Sequence, residues 1–136
     1  MRSERNKLIL TGILLANLVV MFLPWFGKGA LKILGIELMV GPLTLLGGLG
    51  VMLGLWWFPR HRLAACLTGT LLILAEELHA FFFWPNLTSV LPDPGFSLRF
   101  TYAGFYVGLG MTLILLAGCL LCGWRALAHG QAQEKN

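Results

Sequence analysis

Charged side chains are scarce in this sequence. Ten basic and six acidic residues are spread over 136 positions, and no lysine or arginine falls inside any of its four long apolar runs. A chain so short of charge cannot clothe a soluble core, and 57% hydrophobic residues with a mean hydropathy of +0.79 exclude an ordinary soluble domain. Cysteine is nearly missing as well. The three that occur, Cys66, Cys119 and Cys122, sit within apolar runs, and the segments between runs have none, which excludes a secreted disulfide framework. No Ser/His/Asp or Cys/His catalytic set is visible. The glycines near position 50 lie inside an apolar run without polar followers, so they do not form a phosphate-cradling loop. The formal net charge of +4 does not indicate nucleic acid, because the basic residues flank the runs instead of clustering on one face.

The four runs, over about 8–24, 42–58, 63–84 and 102–124, are each near the length of about 20 residues that crosses a bilayer. They predict an all-α integral membrane protein: one membrane domain, residues 1–136, built as an up-down bundle of four transmembrane helices. Seven basic residues (Arg2, Arg5, Lys7, Arg60, Arg62, Arg125, Lys135) fall on one side of the runs and three (Lys28, Lys32, Arg99) on the other. Positive residues are retained on the cytoplasmic side, so both termini are expected there, in a multi-pass protein of a bacterial inner membrane. The first run is longer than a signal-peptide core and Gly27-Lys28-Gly29 is a poor cleavage site, so an uncleaved anchor is expected.

Between the first two runs, residues 25–41 are too apolar for a free linker and suit either a short β-hairpin over the bundle or an interfacial helix. Trp25 is expected at the outer interface. Pro59-Arg60-His61-Arg62 predicts a tight turn that makes runs two and three antiparallel neighbours. Pro92-Asp93-Pro94-Gly95 predicts a turn in a structured outer cap.

Helical winding at about 100° per residue sorts each run into faces. In the third, Ala65, Cys66, Gly69, Thr70, Ile73, Glu76, Glu77 and Ala80 share a small and polar half, opposite Leu63, Leu67, Leu71, Leu74, Leu78, Phe81 and Phe82. In the second, Gly47, Gly50 and Gly54 align with Thr44 and Val51 as a packing seam whose partner is open. In the fourth, Thr101, Gly104, Gly108, Met111, Leu115, Cys119 and Cys122 form a second seam, expected to pack on the Glu76 face of the third.

The candidate chemistry is confined to a few side chains. An ionised carboxylate near mid-bilayer costs a few kcal/mol, so adjacent Glu76 and Glu77 need shelter or a role. His79 is placed to touch Glu76 but not Glu77, and Asn17 is the polar residue of the first run. These four are the candidates for buried hydrogen bonding or proton handling. Glu76-x-x-His79 has the spacing of di-iron carboxylate bundles, but such sites need the motif twice and two further glutamates. No metal site and no cofactor are predicted. Cys66, Cys119 and Cys122 could meet as a thiol cluster. The expected function is that of an accessory or assembly subunit, not an enzyme, packed in the lipid bilayer beside a larger membrane protein or copies of itself. The alternative is a small proton- or cation-coupled transporter using the acidic pair.

The distribution of basic residues makes topology directly testable. A reporter active only in the cytoplasm, fused after Asn136, should give full signal; full activity of a periplasm-only reporter there would reverse the orientation.

Overall fold

The computed structural model describes residues 2–28, 30–38, 41–57, 61–84 and 94–133, with side-chain surroundings described within those ranges from Glu4 to Cys122. The chain is mostly helical. Helix α1 (Arg2–Val20) leads into strands β1 (Pro24–Lys28) and β2 (Leu31–Leu34) and a single-turn helix α2 (Gly35–Leu38); then follow α3 (Pro42–Trp56), α4 (Arg62–Phe83), a short α5 (Pro94–Phe100) and α6 (Ala103–Gln133). Two helical stretches, Arg62–Phe83 and Ala103–Cys122, are long and apolar enough to cross a membrane by length and composition. The other two long helices fall short of that measure. Helix α3 has 15 residues, and α1 has 19 but opens on the charged segment from Arg2 to Lys7. The predicted turns at 59–62 and 92–95 lie partly outside the described residues.

The most extensive contact joins α3 to α4, which supplies the partner of the glycine seam. A methyl group on Gly47 would lie 2.5 Å from the Gly69 carbonyl oxygen, and one on Gly69 would lie 2.4 Å from that of Gly47. Further along, a methyl on Gly54 would meet the Ala65 Cβ at 2.8 Å, whereas at Gly50 the nearest atom is 3.6 Å away. The two backbones therefore touch, and only glycine permits it. Pro42 begins α3 where a helix has no use for an N–H, and Gly41 before it is extended.

Helix α6 packs on both α4 and α1. Leu10 of α1 sits over Gly118, where an added methyl would be 2.6 Å from its Cδ2, and Phe105 stacks on Phe81 of α4 with centroids 5.3 Å apart. The ring of helices closes where the Trp56 indole N–H donates to Thr11 Oγ1 at 3.1 Å. Lys7 lies 5.6 Å over the Trp56 ring and pairs with Glu4 at 2.6 Å, which draws the exposed Glu4 carboxyl below its ordinary range. Successive long helices run antiparallel. On α4, Cys66, Gly69, Thr70, Ile73, Glu77 and Ala80 are buried while Leu71, Leu78 and Phe82 are exposed, as helical winding predicts, but Phe81 of the greasy half is half-buried and packs against Phe26 and Phe105.

Of the two conformations suited to 25–41, the hairpin forms. Strands β1 and β2 pair antiparallel, with Phe26 opposite Ile33 and Lys28 opposite Leu31, and the register is irregular between Pro24 and Phe26. That irregularity lets Trp25 and Phe26, consecutive residues that a regular strand would send to opposite faces, both be fully buried at 0% exposure. Trp25 thus departs from its expected interfacial place. Its indole N–H donates at 3.1 Å to the Val20 carbonyl near the end of α1, an oxygen that also accepts the Leu23 N–H at 3.0 Å. Its ring rests on glycines: a methyl on Gly108 would be 2.8 Å from Cζ2, and one on Gly35 would be 2.3 Å from Cε2. Gly104 meets Pro24 in the same way, 2.6 Å from its carbonyl oxygen. Gly104 and Gly108 therefore pack on the hairpin, not on α4 as expected. Phe26 stacks on Trp84 at 5.0 Å and reaches Phe105 at 5.1 Å, closing this end of the bundle with aromatic rings.

The Gly47–Gly69 contact predicts a clear asymmetry among glycines of α3 and α4. In detergent, Gly69→Ala should lower unfolding stability by about 1–3 kcal/mol through overpacking against a backbone that cannot yield. Gly48→Ala, where nothing lies within 4 Å, should be neutral. Equal unfolding midpoints for the two variants would refute the contact.

Candidate functional site

The two adjacent glutamates point to different neighbours, as residues about 100° apart on a helix must. Glu77 faces the bundle interior at 0% exposure. Its Oε1 accepts a 2.8 Å hydrogen bond from Thr112 Oγ1 on α6, and that hydroxyl in turn accepts a 2.8 Å bond from Asn17 Nδ2 on α1. Asn17 and Thr112 are also sealed, at 2% and 0% exposure. A relay of three side chains thus ties α1, α6 and α4 together. No cation pairs with Glu77 among the described residues. Asn17 Oδ1 and Glu77 Oε2 are buried and accept no hydrogen bond among the described residues.

Glu76 turns the other way, to the start of α3. A methyl group on Gly41 would lie 1.8 Å from its Oε1, which puts the carboxyl hard against the backbone where α3 begins. Among the described residues Glu76 Oε2 is buried without a hydrogen bond. His79 joins neither acid. It is exposed and stacks on Phe83 with centroids 4.8 Å apart, and among the described residues it makes no hydrogen bond to Glu76. The four candidates therefore form no single cluster: Asn17 and Glu77 meet through Thr112, while Glu76 and His79 lie apart.

A second polar layer lies nearer the N-terminal end of α4. The Cys66 and Cys119 thiols are within reach of each other, with Thr70 beside Cys119. Cys66 Sγ points its hydrogen at the Val51 carbonyl, 3.8 Å away, and Thr70 Oγ1 donates to the Cys66 carbonyl at 2.7 Å. Cys122 is half-buried and accepts from Asn6 Nδ2 at 3.8 Å. All three thiols are free, and among the described residues no group of three or more His, Cys, Asp or Glu side chains is disposed to hold a metal.

Thr112 was the residue that composition hid, since a threonine in an apolar run does not interrupt it. Its position on the seam was nonetheless available: it follows Gly108 by one helical turn and precedes Cys119 by two. The seam as read from the sequence named Met111, its half-buried neighbour.

The chain matches no protein-family model, no curated protein and no solved structure.

The relay predicts that Thr112→Val, which keeps shape and removes the hydroxyl, strands both Asn17 and Glu77. It should lower unfolding stability by about 1–3 kcal/mol, while Thr112→Ser stays near the parent. Combining Thr112→Val with Asn17→Leu should cost less than the two changes summed. Strict additivity would show that Thr112 does not connect the other two.

Proposed function

We propose that this chain is an inner-membrane protein with four spans and cytoplasmic termini. In that reading it acts as an accessory or assembly subunit, held beside a larger membrane protein or its own copies. Support for insertion comes from large apolar side chains exposed on all four long helices, among them Leu15 and Val19 of α1, Leu45 and Leu46 of α3, Leu71 of α4 and Ile114 of α6. Water would penalise such a surface and acyl chains would not. The short α3 suits the same setting, because exposed Trp56 and Trp57 at its end have the character of interfacial anchors and a short span is met by local thinning of the bilayer.

The observation that carries the assembly reading is the sealing of Glu77. Its bonded oxygen belongs to a relay that joins three helices, and at 0% exposure it has no contact with the surroundings through which a solute would arrive. One feature favours the transporter reading instead: Glu76 and Glu77 each retain a buried oxygen without a partner among the described residues, as a site that takes up a proton requires.

Substitution of Glu77 separates the two. If the carboxyl joins helices, Glu77→Gln should preserve recovery of the folded, assembled protein to within about 1 kcal/mol, and Glu77→Leu should reduce it. If it carries protons, glutamine should be as damaging as leucine, since an amide does not load and release a proton. Purified protein that acidifies liposomes in response to a solute gradient, and loses this with Glu77→Gln, would overturn the assembly reading.

A further inference from the structure

At the hairpin end of the bundle, β1 and α5 enclose a cleft of about 450 Å³ lined by Lys28, Gly95, Phe96, Arg99 and Phe100. Its walls are held in place from beneath. Ser97, fully buried, donates its hydroxyl to the Phe81 carbonyl of α4 at 2.5 Å, and Thr101 Oγ1 donates to the Ser97 carbonyl, so α5 is anchored to the bundle. Lys28 ends β1, and its ammonium lies 5.5 Å from the Phe96 ring centre and 5.6 Å from that of Phe100. Two rings thus steer the lysine over the cleft floor by cation–π attraction while its remaining N–H groups stay available. Arg99, in the last turn of α5, brings a planar fork suited to two oxygens of one phosphate.

Among the described residues neither cation has an ion pair, the one formed there being Glu4 with Lys7 on α1, and no described carboxylate lines the cleft. Asp93, the nearest acid in sequence, lies outside the described residues. Like charges gathered in one cleft repel unless an anion enters between them. The surroundings specify the anion further. Leu31, opposite Lys28 across the hairpin, and Leu98, beside Arg99, are about as exposed as each other, at 60% and 62%, so the cations stand beside apolar surface. A free phosphate has no use for that surface; an amphiphile does.

We propose that this cleft binds a phosphate-bearing anion whose source is the headgroup of an anionic phospholipid, with the phosphate held between Lys28 and Arg99 and the adjoining chain against Phe96 and Phe100. A volume of about 450 Å³ is within the range of small-molecule sites. The lipid source rests on the membrane reading above; the phosphate chemistry does not.

The test uses the full chain, purified in detergent, stripped of lipid and offered phosphatidylglycerol or phosphatidylcholine in mixed micelles, with retained lipid counted by native mass spectrometry. Phosphatidylglycerol should be retained with a preference of about tenfold, and Lys28→Gln or Arg99→Gln should bring the two lipids close to parity. Lys28→Arg should restore the preference. Lys32→Gln removes the same charge from the same end but outside the cleft and should leave the preference intact. Equal loss with Lys32→Gln, or no loss with the cleft variants, overturns the site. A parallel arm offers inorganic phosphate alone: binding that depends on Lys28 and Arg99 without any preference for phosphatidylglycerol overturns the lipid source and assigns free phosphate. If carbonate washes the chain off membranes while the cleft variants still lose phosphate binding, the membrane reading fails and the anion site stands.

Discussion

The Thr112 hydroxyl is the point on which the interior depends. It has one proton to give and gives it to Glu77, and its oxygen receives the Asn17 amide, so a single side chain satisfies polar groups from two other helices. Buried polar atoms without partners are costly, and this cost fixes the rotation of α1, α4 and α6 about their own axes more sharply than leucine packing could. Apolar contacts tolerate a sliding helix. A relay with 2.8 Å bonds at both ends does not.

The remaining helix is held by a different means. Helix α3 contributes no member to that relay and is bound to α4 by backbone proximity at Gly47 and Gly69. The bundle therefore has two kinds of joint: a polar one that sets rotation and a close-packed one that sets separation. Glu76 links the two, since it neighbours the relay's carboxyl in sequence and presses its own carboxyl on the start of α3.

Several of these features were legible in the sequence, and the reasons the others were not are physical. The split of α4 into small-polar and greasy halves followed from helical winding, because burial on a helix has a single period. The Gly47 and Gly54 seam was equally plain, yet its partner was not, since periodicity names a face and says nothing of what lies across from it. Trp25 was misplaced because the interfacial preference of tryptophan is an average. Its burial depends on Gly35, Gly104 and Gly108, brought together by the fold from separate parts of the chain. Likewise Glu76 and Glu77 read as a pair, although adjacency on a helix already requires them to diverge. His79 was within reach of Glu76 by spacing, but its ring found Phe83 on its own helix.

The seating of Trp25 also sets an order of events during synthesis. Two of the three glycines beneath the hairpin, Gly104 and Gly108, belong to the last helix, so the ring's resting place does not exist until that helix has been made. The first helix and the hairpin are complete long before. Through that interval the indole and the Phe26 ring require some other apolar shelter, and the molecule cannot be closed from its N-terminal half alone. Its final helix is the lock, and the hairpin is a bolt that must wait for it.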